Sequence, residues 1–155
     1  AGMKPLILGE NLEGESRDAG KIHAEIALQI QNNGNPVSPP AVILSGGETS
    51  VTVKGTGRGG PNTEFMLSLL EELRGQDGIW AIACDTDGID GTEDNAGAFI
   101  SPESLKKSEE LGLNPSVYLS NNDSYSFFHE LGDLVSPGPT MTNVNDFRAI
   151  LVLPE

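Results

Sequence analysis

The chain has 155 residues, 37% of them hydrophobic, with 23 acidic side chains against nine Lys and Arg and a formal net charge of −14. That is enough chain and enough apolar residue for a single domain, residues 1–155, with a real core. It excludes partners that demand a basic patch, so neither nucleic acid nor anionic lipid is expected. No apolar run approaches the roughly 20 residues of a membrane span, and no signal-peptide pattern opens the chain, which places the protein in the cytoplasm on this reading. The single cysteine, Cys84, cannot form an intrachain disulfide, and no Cys/His spacing suggests zinc.

In chain order, Leu6-Ile7-Leu8 reads as a strand entered at once, with no leader before it, as in a fragment of a longer protein. Ile22, Ala24, Ile26, Ala27 and Ile30 suit one face of a helix, which Asn32-Asn33-Gly34-Asn35-Pro36 ends. Ala41–Leu44 reads as a buried strand and Thr49–Lys54 as an alternating one, with Val51 and Val53 on one face. Phe65, Met66, Leu69, Leu70 and Leu73 mark the next helix, and Ile79–Ala83 a strand after it. Helices near Glu103–Leu111 and Tyr125–Leu131 and a strand near Arg148–Leu153 complete the set. Helices alternating with strands predict an α/β fold.

Cys84–Asp94 sets five acids and no base directly behind the strand Ile79–Ala83. Open α/β sheets place ligands beyond the carboxyl ends of their strands, so these acids stand where chemistry is expected. Clustered carboxylates hold together with water, glycine-freed amides or a cation such as Mg²⁺, for which Asp87 and Asp90 are the candidate ligands. The alternative is an acidic turn with Asx-type hydrogen bonds. An EF-hand fails, because its sixth position, which demands Gly, would be Asp90. Cys84 reads as a small strand-end residue, since neighbouring carboxylates raise a thiol's pKa.

Gly55–Asn62 satisfies G-x-G-x-x-G between an expected strand and helix, with Pro61 suited to the first helical position. Gly57, Gly59, Gly60 and Asn62 are read as a backbone cradle for phosphate, and Arg58 as a fork for phosphate or carboxylate. A turn that is glycine-rich for steric reasons alone is the other reading. Ser45–Thr49, between two strand-like runs, reads either as a hairpin or bulge or as a loop that presents Glu48 to a ligand. Thr140 and Asn143, in the polar stretch Gly138–Asp146, offer a hydroxyl and an amide to a hydroxy acid or phosphate; turn chemistry is the other reading of that stretch. Asn121–Ser124 reads as a helix cap. His23 and His129 read as packing or surface histidines.

Together, Ser45–Thr49, Lys54–Asn62 with Glu64-Phe65, Thr86–Gly91, Asn122–Tyr125 and Gly138–Asp146, in this order, resemble the MOFRL-type C-terminal domain of the glycerate 2-kinase family, some of whose members are called hydroxypyruvate reductases. Leu12–Arg17 is similar to the family segment with which that domain begins. The resemblance implies a three-layer α/β/α domain on a mixed, mostly parallel sheet, and an absent Rossmann-like N-terminal domain that completes an interdomain cleft. It implies ATP- and Mg²⁺-dependent phosphorylation of D-glycerate to 2-phosphoglycerate, with Asp87 as the active-site aspartate; a homodimer is compatible with it. Two positions depart from the family pattern: Pro61 stands where many members have Arg, and Met141 where Gly is usual. Two other readings stand beside the kinase. One is a non-catalytic ligand-binding module, and the other is hydride transfer from NAD(P)H to hydroxypyruvate.

Overall fold

A computed structural model describes residues 2–155. In chain order the elements are β1 (Lys4–Leu12), α1 (Ser16–Asn33), β2 (Ala41–Gly47), α2 (Pro61–Leu73), β3 (Ile79–Asp85), β4 (Gly97–Ile100), α3 (Ser104–Glu110), α4 (Pro115–Ser120), α5 (Ser124–Leu131), β5 (Leu134–Val135) and β6 (Asp146–Val152).

The α/β class and the mixed sheet are as expected from the sequence, but the share of parallel pairing is not. The strands lie in the order β1-β2-β6-β3-β4-β5; β1–β2 is the one parallel pair, and the other four pairs are antiparallel. The reason is an insertion. Crossovers through α1 and α2 do leave β1, β2 and β3 running the same way, but β6 then enters between β2 and β3 in the opposite sense. One late strand thus replaces a parallel contact with two antiparallel ones.

The layer count also differs. Alternate residues of the central strands are buried: Ala41 and Ile43 on β2, Ile79, Ala81 and Ala83 on β3, Ile150 and Val152 on β6. These join Ala24, Ala27 and Ile30 of α1, most of α2, and Phe127, Phe128 and Leu131 of α5 in one core. The intervening residues face away from it, and Trp80, Phe99 and Phe147 stay 38%, 40% and 47% exposed. The helices therefore cover one face, giving two layers instead of three.

Helix α2 is the hub of that covered face. Asn62–Leu70 and Leu73 are all buried, because α1, α3, α4 and α5 surround it above the sheet. Its approach to α1 depends on Gly20, where a Cβ would stand 2.5 Å from the Phe65 carbonyl oxygen. The buried face of α1 consequently runs through Gly20, His23, Ala24, Ala27 and Ile30, and Ile22, expected on it, is 56% exposed. His23 is a packing residue, edge-on to Phe65 and bonded through its ring nitrogens to the Ala19 carbonyl and the Ser45 hydroxyl. Thr49–Lys54 is not a strand: a single bridge joins Ser50 to Glu15, and Val53 is 69% exposed. Side chains from other elements hold this segment in place of a ladder.

Candidate functional site

The glycine segment behind this extended stretch turns its amides inward. Lys54 and Gly55 donate to Asn122 Oδ1 at 2.8 and 2.9 Å, Thr56 to Asn121 Oδ1 at 3.1 Å, Gly57 to the Asn121 carbonyl at 3.0 Å and Arg58 to Asp123 Oδ1 at 2.9 Å. Asn121–Asp123, expected to cap α5, mainly grips this loop. Its glycines are there for space: a Cβ would come within 2.2 Å of the Asn121 carbonyl oxygen at Gly55, 2.3 Å of Asp123 at Gly57 and 2.2 Å of Ser124 Oγ at Gly59. The glycines are accounted for by sterics, and the Gly57, Gly60 and Asn62 amides of the expected phosphate cradle already have protein acceptors.

The amino end of α2 is occupied as well. Asp90 Oδ1 accepts from the Asn62 amide at 2.8 Å, and Oδ2 from the Thr63 amide and hydroxyl, both at 2.8 Å. The anion expected at this helix terminus is thus an internal carboxylate, which satisfies orphan amides and the helix dipole. Asp90, expected as a second Mg²⁺ ligand, is 1% exposed, with both carboxylate oxygens engaged by the amino end of α2. Burial pushes its pKa up to about 6 against the pull of these hydrogen bonds.

Beneath the loops lies a polar framework that the sequence reading missed. Asn62 Nδ2 donates to Asp146 Oδ1 at 2.7 Å; Asp146 Oδ2 pairs with Arg148 at 2.6 Å, and Arg148 reaches the Thr49 hydroxyl at 3.0 Å. On the other side Glu64 takes Nε and Nη2 of Arg17 on one oxygen and Asn122 Nδ2 on the other. Charged residues at Asp146 and Arg148, two apart in an otherwise apolar strand, were the available signal. Two charges on one strand face are retained in a core only as a pair.

At the carboxyl end of β3 the acidic loop is stitched to Gly138–Asn145. Thr86 Oγ1 donates to the Asn145 carbonyl and accepts the Val144 amide, both at 2.8 Å, and the Asp87 carbonyl accepts the Thr140 amide at 3.1 Å. The approach requires glycine at position 88, where a Cβ would meet the Gly138 carbonyl oxygen at 2.3 Å. Asp87 is half-buried; Oδ1 accepts the Ile89 amide at 2.8 Å, and Oδ2 takes no protein donor among the described residues. Asp85 Oδ1 accepts the Asp87 amide at 3.0 Å, and burial, with the Asp87 and Asp146 carboxylates nearby, raises the Asp85 pKa. Asn143 Oδ1 accepts the Asn145 amide at 3.0 Å, shaping its own loop. Met141, at the position where the family pattern has Gly, sits at φ 63° with its side chain 97% exposed, so the loop keeps a glycine-like backbone there.

Arg58 lies elsewhere on the rim. Its guanidinium stands 4.6 Å over the Tyr125 ring and 3.4 Å from Glu93, beside a cleft of about 420 Å³ lined by Val51, Gly59, Gly60, Thr92 and Glu93. Glu48 is exposed, and its side chain makes no hydrogen bond among the described residues. The structure therefore joins Asp87 to Thr140 and Arg58 to Glu93, while no hydrogen bond among the described residues links the two groups. As for metal, no cluster of three or more His, Cys, Asp or Glu among the described residues would hold one. The single available carboxylate oxygen on Asp87 would suit only a cation that keeps most of its waters, as Mg²⁺ does.

The fold is a two-layer α/β domain that carries Asp87 at the end of β3 and Arg58 on the glycine segment before α2. The chain belongs to the MOFRL family, whose model matches residues 41–146. It is 57% identical over 154 residues to an Agrobacterium vitis protein bearing the name "Putative hydroxypyruvate reductase", covering 98% of this chain and 35% of that one. It is 40% identical over 152 residues to the D-glycerate 2-kinase of Thermotoga maritima, covering 98% of this chain and 36% of the relative. The crystal structure of the Thermotoga maritima glycerate kinase superposes with a TM-score of 0.95 at 39% identity, over 98% of this chain and 37% of that chain. The chain thus spans little more than a third of the length of these relatives. No helix among the described residues is long and apolar enough to cross a membrane.

Proposed function

We propose that the chain is the C-terminal, MOFRL-type part of a glycerate 2-kinase that phosphorylates D-glycerate to 2-phosphoglycerate with ATP and Mg²⁺, at a cleft shared with an N-terminal domain. The observation that carries the reading is Asp87, held at a strand end by two stitched loops with one carboxylate oxygen free of protein donors. Such an oxygen can take the proton of the glycerate hydroxyl as it attacks, or hold the Mg²⁺ of ATP, whose charge offsets that of the phosphates. Thr140 and Asn143 lie on the loop facing Asp87, and Arg58 supplies the cation of the second rim segment for an anionic group of either substrate. The dinucleotide-dependent reductase reading has less support, since three of the amides expected to bind pyrophosphate, those of Gly57, Gly60 and Asn62, already have protein acceptors.

The test is an assay of the full-length protein with glycerate plus ATP, and separately with hydroxypyruvate plus NADH. Phosphorylation is expected, with Asp87→Asn lowering kcat on the order of a hundredfold while the melting temperature holds. The isolated 155-residue chain is expected to fold without turnover. Reduction of hydroxypyruvate in place of phosphorylation, or wild-type kcat in Asp87→Asn, would overturn the assignment.

A further inference from the structure

Of the residues lining the cleft beside the glycine segment, Arg58 alone is cationic and Glu93 alone is acidic. Their contact is loose: Nη1 to Oε2 is 3.4 Å, at the outer limit of a hydrogen bond. The Glu93 side chain is only 17% exposed, yet Arg58 is its sole bonded partner among the described residues. A mostly buried carboxylate on one long bond is poorly compensated, because desolvation is incurred without the donors that normally repay it. Arg58, by contrast, does not depend on Glu93 for its place. The Tyr125 ring supports its guanidinium at 4.6 Å, and Asp94 fixes that ring through the tyrosine hydroxyl at 2.9 Å. The backbone behind Arg58 is in turn fixed by Asp123.

We propose that Glu93 sets the affinity of this cleft for anions: in the free protein its carboxylate occupies the place on Arg58 that a carboxylate or phosphate of the substrate takes, and the incoming anion displaces it. The inference rests on the reading that Arg58 meets an anionic substrate group. An anion that pairs with the guanidinium in two hydrogen bonds outcompetes a carboxylate held by one bond at 3.4 Å. Displacement leaves Arg58 stacked on Tyr125, so the cleft need not reorganise around the ligand. Glu93 then acts as a threshold, excluding weakly charged molecules that cannot replace it.

The test uses the full-length enzyme with Glu93→Gln, Arg58→Ala and the double variant, varying glycerate and ATP separately to show which anion is bound. Glu93→Gln is expected to lower KM for one substrate by about two- to fivefold, the size of a part-exposed ion pair, with kcat little changed. In the Arg58→Ala background that gain should vanish. In parallel, inorganic phosphate should shift the Arg58 side-chain NMR resonance at lower concentration in Glu93→Gln than in wild type, whatever reaction the enzyme performs. A Glu93→Gln variant with unchanged or raised KM and an unchanged phosphate titration overturns the proposal. A gain that persists without Arg58 also overturns it, since Glu93 would then act only through the general negative field. Absence of glycerate phosphorylation, with the phosphate titration still as expected, would reject the kinase reading and leave the Arg58–Glu93 contact standing.

Discussion

Asn122 and Glu64 share one hydrogen bond, Nδ2 to Oε2 at 3.0 Å, that ties the glycine segment to the helical layer. The other end of the Asn122 amide accepts the Lys54 and Gly55 amides, and the other Glu64 oxygen holds Arg17 of α1. Asparagine also suits the backbone here, at φ 53°. Asn122→Ala would strand two amides and a buried carboxylate oxygen, a loss on the order of 2–4 kcal/mol in urea unfolding. Hydrogen exchange at Lys54 and Gly55 should accelerate with it; protection equal to wild type would mean that something else holds the loop.

Asp90 predicts a pH dependence of definite sign. Its folded pKa, about 6, lies above the ordinary aspartate value of 3.8, so between those values the folded state binds the extra proton. Stability contributed by this group is therefore fully present below about pH 4, falls as pH rises and levels off above pH 6, by roughly 3 kcal/mol in all. His23 works the other way: burial lowers its pKa, so its share is lost as the solution is acidified. Urea unfolding of wild type and Asp90→Asn across pH 4 to 7 separates the two, because only the Asp90 component disappears in the variant. Parallel curves for the two proteins would rule out a titrating Asp90.

Cys84 should be inert. Burial first, then Asp90, Asp146 and Asp85, push its thiol up to about 12. At pH 8 the thiolate fraction is then on the order of a thousandfold below that of an ordinary cysteine, and iodoacetamide labelling of the native protein should be slower in proportion. Labelling at the rate of a free thiol would show that the end of β3 is open to solvent.

At Arg58 the order of effects is the expectation. Lysine keeps the charge but loses both the fork and the flat stack on Tyr125, so Arg58→Lys should raise KM moderately and Arg58→Ala several times more. If both variants match wild type with glycerate and ATP, the side chain only braces Tyr125 and Glu93.

The helix–strand alternation was legible because helix and strand periods survive in Ala41–Leu44, Phe65–Leu73 and Ile79–Ala83. What alternation does not encode is where the last strand goes. Arg148–Leu153 reads as a strand equally well at an edge or between β2 and β3, and only its buried Arg148, paired with Asp146, hints at a central place. The glycine pattern is ambiguous for a related reason. Close approach to a ligand and close approach to another loop both demand that Cβ be absent, and here the approaching atoms belong to Asn121–Ser124. The short β4, α4 and β5 passed unnoticed, as four, six and two residues carry too little period to register.

A sheet clad on one side only leaves a calorimetric trace. Trp80, Phe99 and Phe147 already meet water in the folded chain, so unfolding hydrates less new apolar surface than a fully enclosed sheet would. A typical domain of this length gains about 1.9–2.3 kcal/mol/K of heat capacity on melting. The isolated chain should fall below that range, and its stability curve should be correspondingly flatter with temperature. On the bare face, exchanging one of these aromatic residues for a polar one should leave the melting point almost unmoved, whereas the same exchange at Phe65 or Phe127 on the clad side would abolish folding.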